Sequence, residues 1–177
     1  MNDEAPFSRL LKVEAVPHDG LDRRVEADAA ERAELARRFG LVGVAELAGD
    51  FHIERFGREA RVTGEVDALV TQTCVVTLEA FDERVTEEVD VRFAPPADER
   101  KPHVAKKEET LNFDDDDEPD PIVYGKIDLG ALAAEFLALG LDPYPRKPGA
   151  EFAAPAGPED EDSPFAPLIE FKRVDRT

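Results

Sequence analysis

The residues able to act as nucleophiles or bases are few and scattered. Cys74 is the only cysteine, and the three histidines, His18, His52 and His103, fall in different segments. A nucleophilic cysteine needs a base within hydrogen-bond reach, and no local motif supplies one. An unpaired cysteine more often packs as a small hydrophobic residue, so we interpret Cys74 as structural. A single cysteine also excludes an intramolecular disulfide and a multi-thiolate zinc site.

The acidic run Asp114–Asp120 could attract Ca²⁺ or Mg²⁺, since both prefer carboxylate oxygens. However, an EF-hand loop needs spaced acids around a glycine, whereas these acids are contiguous and Pro119 follows, which favours a solvated charge run. Gly125-Lys126 lacks the earlier glycine and the following Ser or Thr of a phosphate-binding loop. We therefore predict no metal site, no cofactor, no small-molecule substrate and no catalytic residue, and interpret the protein as not an enzyme. The opposing hypothesis is a metal-dependent or cysteine enzyme. It requires His52 or Cys74 to converge with carboxylates in a pocket.

The chain carries 41 acidic and 22 basic residues, a formal net charge of −19. Such a charge repels nucleic-acid phosphates and anionic membranes at long range and attracts basic partners. The first residues lack the basic and apolar regions of a signal peptide, and no apolar stretch approaches the roughly 18 residues of a membrane span. The sequence therefore predicts a cytoplasmic protein without a membrane partner.

Two long alternating segments predict a central sheet. Apolar residues recur at every second position over residues 60–70 and 81–93, apart from Glu83 and Glu87. Strands with one apolar face and one polar, solvent-exposed face indicate an antiparallel sheet. A glycine-containing turn at residues 56–59 predicts a hairpin of residues 45–56 with residues 60–72. Residues 7–13 and a run near Val25 are further candidate strands.

Two helices have clear end signals. Asp28 is a candidate N-cap with Glu31 as its capping-box partner and Gly40 as the stop. Asp128 can cap a second helix from Leu129 to Leu139, which is apolar nearly all round and is followed by Gly140 and Pro143. The predicted fold class is α+β, an antiparallel β-sheet that could curl into a partial barrel, with two main helices.

We predict a single α+β domain over residues 1–147, with a mobile acidic loop at about residues 95–126. Contiguous like charges repel one another and stay solvated. Residues 148–177, rich in proline, alanine, glycine and acid, predict a largely disordered tail. The tail ends in a short motif, where Ser163 can cap a helical turn with Pro164 at its first position.

A small basic cluster follows the second helix and recurs near the terminus. Its members are Arg146, Lys147, Lys172, Arg173 and Arg176. These cations could contact RNA phosphates, and Tyr144, between two prolines, could stack on a base. Alternatively, they complement a helix C-terminus or the surplus carboxylates.

Several short motifs, taken in order, resemble one family. They are Cys74-Val75-Val76-Thr77-Leu78-Glu79, an alternating strand, an acidic loop, Ile127-Asp128-Leu129-Gly130, Glu135 in an apolar helix, Pro143-Tyr144-Pro145-Arg146-Lys147 and Ser163-Pro164-Phe165-Ala166. Their order resembles the YceD-like family, the proteins named for large ribosomal RNA subunit accumulation. The resemblance covers most of the chain and is strongest from about residue 60 to residue 147.

The resemblance implies a non-enzymatic role in the synthesis, processing or stability of large-subunit ribosomal RNA, with no known cofactor. In many relatives the first motif reads Cys-x-Arg-Cys-Leu-Glu-Pro, whereas Val76, Thr77 and Ala80 stand at three of those positions here. A two-cysteine metal or redox role therefore does not apply to this chain.

We expect an assembly factor for the large ribosomal subunit that binds a basic ribosomal protein or pre-ribosomal particle, ribosomal RNA, or both. A direct RNA-binding module is the alternative. The candidate partner-binding residues are Asp128, Glu135, Pro143, Tyr144, Pro145, Arg146 and Lys147. We interpret the motif residues Cys74, Leu78, Glu79 and Phe165 as structural. For Asp128, capping the helix is itself a sufficient role.

Overall fold

A computed structural model describes residues 5–96 and 119–152 of the chain. The acidic residues 97–118, the terminal motif with Phe165, and Lys172, Arg173 and Arg176 lie outside the described residues. The elements are β1 (Leu10–Lys12), β2 (Leu21–Glu26), α1 (Ala29–Phe39), β3 (Gly43–Phe56), β4 (Glu59–Thr73), β5 (Ala80–Ala94), β6 (Asp120–Pro121), β7 (Lys126–Asp128) and α2 (Leu129–Gly140). The α+β class and the two main helices are confirmed.

The main sheet has five strands in the order β2-β3-β4-β5-β6. The first four strands are antiparallel neighbours, and β6 runs parallel to the end of β5. The predicted hairpin is confirmed as β3 and β4, whose turn closes with Phe56 opposite Glu59. In the described part of the chain the sheet stays open, with β2 and β6 at its edges, and does not close into a barrel.

Both helices cover the same face of this sheet. α1 packs mainly against β3, and α2 crosses β3, β4 and β5. The alternating apolar residues of β4 point toward the helices, so Val62, Val66 and Val70 are buried against side chains such as Leu35 and Leu137. Burying one such side chain contributes about 1.5 to 3 kcal/mol. The other face of the sheet has no helix over it in the described residues, which leaves a long polar surface open.

The ends of α1 follow the sequence signals. The Asp28 carboxylate accepts the backbone N–H groups of Ala30 and Glu31, and Glu31 Oε2 accepts the Asp28 N–H at 2.7 Å. Gly40 ends the helix with a φ of 68°, a left-handed conformation that glycine adopts without a steric penalty. Glu31 also pairs with Arg9 at 2.7 Å, which ties the chain before β1 to this helix.

Glu83 and Glu87, the two exceptions to the alternation of β5, lie where α2 ends. Glu83 accepts a hydrogen bond from the buried Gln72 side chain at 2.9 Å. A Cβ atom added at Gly140 would lie 2.6 Å from Glu87 Cγ, so the helix can approach this glutamate only through a residue without a side chain. Both glutamates are half-buried at the rim of the core, where their carboxylates can still reach water.

Two segments differ from the sequence expectation. β1 covers only three residues of the predicted strand 7–13 and pairs with β7 in a separate two-stranded sheet. Residues 119–126, which we expected to belong to the acidic loop, form β6 and a bridge between Val123 and Lys126. Ile122 anchors this segment because its side chain is buried in the core. Segments of two or three residues are too short to show an alternating pattern in the sequence.

Candidate functional site

The connection between β4 and β5 is a compact turn formed by residues 74–79. The Cys74 N–H donates to the Glu79 carbonyl oxygen, and the Leu78 N–H donates to the Cys74 carbonyl oxygen, both at 2.9 Å. Leu78 has a φ of 60°, in the left-handed region that costs an ordinary side chain about 1 to 2 kcal/mol. The backbone therefore holds one strained residue in an otherwise well-bonded turn.

The segment that follows α2 packs against this turn. The Val75 N–H donates to the Pro145 carbonyl oxygen at 2.9 Å. Lys147 Nζ lies 2.9 Å from Glu79 Oε2, an ion pair between residues 68 positions apart. These two contacts join the first motif to the proline-rich motif, and we call the surface formed by residues 74–79 and 142–147 the composite surface.

The ion pair of the composite surface is open to solvent, because the Lys147 and Glu79 side chains are 45% and 62% exposed. The hydrogen bond from Lys147 holds the pKa of the Glu79 carboxyl below its usual value, and Glu79 raises the pKa of the lysine. Exposed ion pairs add little to stability. Their contribution here is to orient the two segments relative to each other.

Cys74 lies beneath the composite surface with no solvent exposure. Its Sγ accepts the Thr77 N–H at 3.5 Å. Hydrogen bonding to Thr77, aided by the backbone N–H groups of Lys147 and Val76 and opposed by burial, lowers the pKa of the thiol to about 7. Cys74 therefore supports the turn from within and, being fully buried, is shielded from reagents in solution.

Large apolar side chains project from both halves of the composite surface. Leu78 is 78% exposed, Tyr144 is 71% exposed, and Val75 is also exposed. The Asp142 carboxylate accepts the Tyr144 N–H at 2.8 Å and thereby fixes the bend directly after the helix. Exposed apolar groups next to an exposed Arg146 are typical of a contact surface.

Asp128, at the opposite end of α2, uses both carboxylate oxygens within the fold. Oδ1 accepts the backbone N–H groups of Arg9 at 2.7 Å, Gly130 at 3.0 Å and Ala131 at 3.2 Å. Oδ2 accepts the Ser8 hydroxyl at 2.5 Å. The residue caps the helix and fastens the N-terminal segment to it, so its main hydrogen-bonding capacity is already used.

Glu135 is exposed on the same helix and borders a groove of about 460 Å³ with Leu10, Tyr124 and Leu132. It lies seven residues after Asp128, about 10 Å along the helix axis. The predicted partner-binding residues are therefore divided: Asp128 caps the start of α2, Glu135 lies near its middle, and residues 143–147 belong to the composite surface beyond its end.

Arginines and carboxylates alternate over the open face of the sheet. The ion pairs are Arg24 with Glu26 and Asp50, Arg84 with Asp67 and Glu46, and Arg61 with Asp90. Asp50, Glu65 and Glu88 lie side by side on three adjacent strands. Glu65 and Glu88 have no ion-pair partner within residues 5–96 and 119–152. Directly opposed like charges repel, so this face carries unneutralised negative charge.

His52 and Cys74, the two residues named for the enzyme alternative, lie far apart. His52 is opposite Thr63 on β4, and Cys74 follows eleven residues later, about 35 Å along an extended strand. His52 Nδ1 lies 2.6 Å from Asp22 Oδ1, and this hydrogen bond raises the pKa of the imidazole. The described residues contain no group of three or more His, Cys, Asp or Glu side chains able to hold a metal ion.

Sequence reasoning missed two contributors to the composite surface. Val75 acts through its backbone N–H, which is independent of side-chain type, and Asp142 acts on the backbone two residues later. The pairing of Glu79 with Lys147 also depends on the sheet and the helix bringing two distant segments together. Only an aspartate two residues before Tyr144, typical of an Asx turn, could have indicated part of this arrangement.

The geometry defines an α+β protein with an open acidic sheet face and a separate composite surface built from two motifs. The family model described as "Large ribosomal RNA subunit accumulation protein YceD" matches residues 62–172, more than half of the chain. The chain therefore belongs to the YceD family, and the resemblance noted from its motifs is confirmed. The family name implies a role in accumulation of the large ribosomal RNA subunit.

The match begins within β4 and includes both halves of the composite surface and the whole of α2. A search of curated proteins and a search of solved structures each found no match to the chain. No helix among the described residues is long and apolar enough to cross a membrane.

Proposed function

We propose that this protein supports the accumulation and processing of large-subunit ribosomal RNA as a non-enzymatic assembly factor. It binds a basic ribosomal protein, free or within a pre-ribosomal particle in the cytoplasm. The observation that carries the proposal is the open sheet face, where Glu65 and Glu88 lie directly opposite each other without an ion-pair partner among the described residues. They lie beside Asp50, which pairs with Arg24, and no helix of the described chain covers them. A cationic partner would relieve their mutual repulsion, and complementary charge speeds encounter and suppresses wrong partners.

The composite surface is the second contact region in this proposal. It contains the predicted partner-binding residues Pro143, Tyr144, Pro145, Arg146 and Lys147, whereas Glu135 lies earlier, within α2. Prolines hold the backbone rigid, so little conformational entropy is lost when a partner binds to Tyr144. This surface carries both exposed apolar area and positive charge, whereas the open sheet face is acidic.

A direct RNA-binding module is the second candidate, and exposed Arg146 beside Tyr144 is the observation that favours it. Lys147, the neighbouring cation, is already paired with Glu79. The net charge of −19 opposes approach of phosphate. We therefore favour a basic protein as the direct partner and propose RNA as a contact made within the particle.

The test is affinity purification of the full chain from growing cells at about 0.05 M and about 0.5 M salt, with and without nuclease. Screening is strong at the higher concentration. We expect large-subunit ribosomal proteins to be retained at low salt, to survive nuclease and to be lost at high salt. Retention that disappears with nuclease would favour the RNA-binding module, and failure to retain any ribosomal component would refute both.

A pair of charge-matched variants locates the interaction. The variant Glu65→Gln/Glu88→Gln removes two charges from the open face, and Glu14→Gln/Asp19→Asn removes two exposed charges from the segment before β2. We expect the first variant to retain less ribosomal protein and the second to behave like the unmodified chain. Equal loss in both variants would mean that net charge alone, and not this face, drives binding.

A further inference from the structure

The outer edge of β5 is unpaired over most of its length. On its inner side, β5 pairs with β4 without interruption from Ala80 to Phe93. On its outer side, β6 reaches only Phe93 and Ala94. No other strand of the described chain pairs with residues 80–91 on that side. Exposed strand edges of this length are a template for a further strand, and proteins usually shorten or cover them.

One hydrogen bond shows which backbone groups of β5 point outward. The Ile122 N–H donates to the Ala94 carbonyl oxygen at 2.8 Å, so the carbonyl group of Ala94 faces away from β4. In an antiparallel strand the N–H and C=O groups of one residue point to the same side, and successive residues alternate. Because no bulge interrupts the register, the even-numbered residues share this outward direction. They are Asp82, Arg84, Thr86, Glu88, Asp90 and Arg92.

The chain itself shows that this edge accepts a strand. Asp120 and Pro121 pair with the last two residues of β5, after which Ile122 turns into the core. β6 pairs with Phe93 and Ala94, beside Arg92, and no turn or loop among the described residues makes a backbone hydrogen bond on the outer side of residues 80–91. About twelve residues of edge, roughly 40 Å, therefore remain available to a strand from elsewhere.

The side chains along the free edge select a cationic strand. Glu88 lies on the open face beside Glu65, while Glu83 and Glu87 are half-buried on the opposite face. β5 as a whole contains five carboxylates and two arginines. Side chains directly opposite on adjacent strands lie about 5 Å apart, so cations at alternate positions of an added strand would lie beside Glu88 and near Glu65.

Charge disfavours the two occupants that this chain could supply. Residues 97–118 contain nine acidic and four basic residues, and residues 153–177 contain six acidic and three basic residues. A second copy of β5 would bring another excess of carboxylates to the edge. A basic strand from another protein is the occupant whose charge complements these side chains.

We propose that the outer edge of β5 binds an extended, basic segment of a large-subunit ribosomal protein as an added β-strand. The nature of the partner rests on the proposed function, whereas the mode of binding follows from the edge. Main-chain hydrogen bonds to the even-numbered residues supply affinity without regard to sequence. The carboxylates beside the edge supply the preference for a cationic segment.

The first experiment compares Thr86→Pro with Thr86→Ala. Proline at position 86 removes an outward N–H and leaves the inward bonds to β4 in place, since edge strands tolerate proline whose missing donor faces outward. Alanine loses the Thr86 hydroxyl bond to Asp67 equally, so it is the matched control. The probe is the set of proteins extracted from purified large ribosomal subunits, which is passed over the immobilised full chain. The protein that is most strongly retained is then purified, and its affinity for each variant is measured by titration.

We expect Thr86→Pro to bind that protein about tenfold more weakly than Thr86→Ala, as the loss of an interstrand hydrogen bond and local disruption would produce. Equal affinity of the two variants would overturn strand addition while leaving the proposed function standing. Failure of the unmodified chain to retain any large-subunit protein would instead refute the proposed function.

Amide hydrogen exchange on the unmodified full chain provides a second readout that needs no variant. The retained protein should slow exchange of the outward N–H groups of Asp82, Arg84, Thr86, Glu88 and Asp90, while their odd-numbered neighbours, already bonded to β4, change little. Unchanged exchange at the outward amides despite binding would overturn the proposal. Two results in the free chain would also overturn it. Slow exchange at these amides at all protein concentrations would indicate that a segment of the same chain occupies the edge. Slow exchange only at high protein concentration would indicate that a second copy occupies it.

Discussion

The two ends of α2 carry motifs of the same family but are built in different ways. At the N-terminal end, Asp128 accepts four hydrogen bonds, two that cap the helix and two that fasten residues 8 and 9 to it. Beyond the C-terminal end, the composite surface is held by one backbone hydrogen bond and one exposed ion pair, and it leaves Leu78 and Tyr144 in solvent. The first end stabilises the fold, whereas the second offers surface to a partner.

The largest effect expected is on the N-terminal end. Replacing Asp128→Ala removes the helix cap and leaves Ser8 and the Arg9 N–H without their acceptor, so the free energy of unfolding should fall by about 2 to 4 kcal/mol. Urea denaturation measures the change. Glu135→Ala, an exposed carboxylate on the same helix, is the control and should change stability by less than about 0.5 kcal/mol. Similar effects of the two variants would mean that the hydrogen bonds of Asp128 do not stabilise the N-terminal end.

A smaller effect of opposite sign is expected in the turn of the composite surface. Leu78→Gly removes the left-handed strain of an exposed side chain and should raise the free energy of unfolding by up to about 1 kcal/mol. Val75→Gly, in the same turn without a positive φ, should lower it by about 0.5 to 1 kcal/mol. If the Leu78→Gly chain is more stable but retains less ribosomal protein, the Leu78 side chain contributes to binding at a cost in stability. If the variant is less stable, the Leu78 side chain instead supports the fold.

The thiol beneath the composite surface should make stability depend on pH. Its pKa is about 7 in the folded chain, below the ordinary value of 9.0. A depressed folded pKa contributes stability that is fully present above the unfolded pKa and is lost as the pH falls through about 7. The stability of the unmodified chain relative to Cys74→Ala should therefore increase from about pH 6 to about pH 9 in urea titrations. A constant difference across this range would contradict the hydrogen bonding assigned to Sγ.

The smallest effect on folding is expected for the ion pair that joins the two segments. Because Lys147 and Glu79 are both largely exposed, Lys147→Ala should leave the midpoint of urea unfolding unchanged within error. The same variant should alter recovery of large-subunit ribosomal proteins by affinity purification, since the orientation of the two segments is lost. A marked shift in the midpoint would mean that this end, like the other, is mainly structural.

Strong local patterns predicted much of the architecture. The alternation over residues 60–70 and 81–93 and the glycine turn between β3 and β4 identified the central strands. The capping box at Asp28 and the cap at Asp128 identified both helices. The bounds of β1 and the strands β6 and β7 could not be assigned, because two or three residues carry no period and are held in place by partners distant in sequence.

The candidate site was less predictable than the fold. Arg146 and Lys147 were identified as a basic cluster, but the sequence gives no indication that Glu79 neutralises the lysine. Asp128 was named both as a cap and as a partner-binding residue, and only the positions of Ser8 and Arg9 show how fully the carboxylate is engaged within the fold. Such contacts depend on long-range packing, which side-chain spacing does not encode locally.

The sequence by itself determined the scarcity of nucleophiles, the large negative charge, the main strands and helices, and the family motifs, because each is a property of composition or of neighbouring residues. The tertiary structure alone decided where these features meet. It joined the motifs at Cys74–Glu79 and Pro143–Lys147 into one surface and separated His52 from Cys74 along β4. It also left the outer side of β5 open, because strand order and helix placement are set by the packing of the whole core.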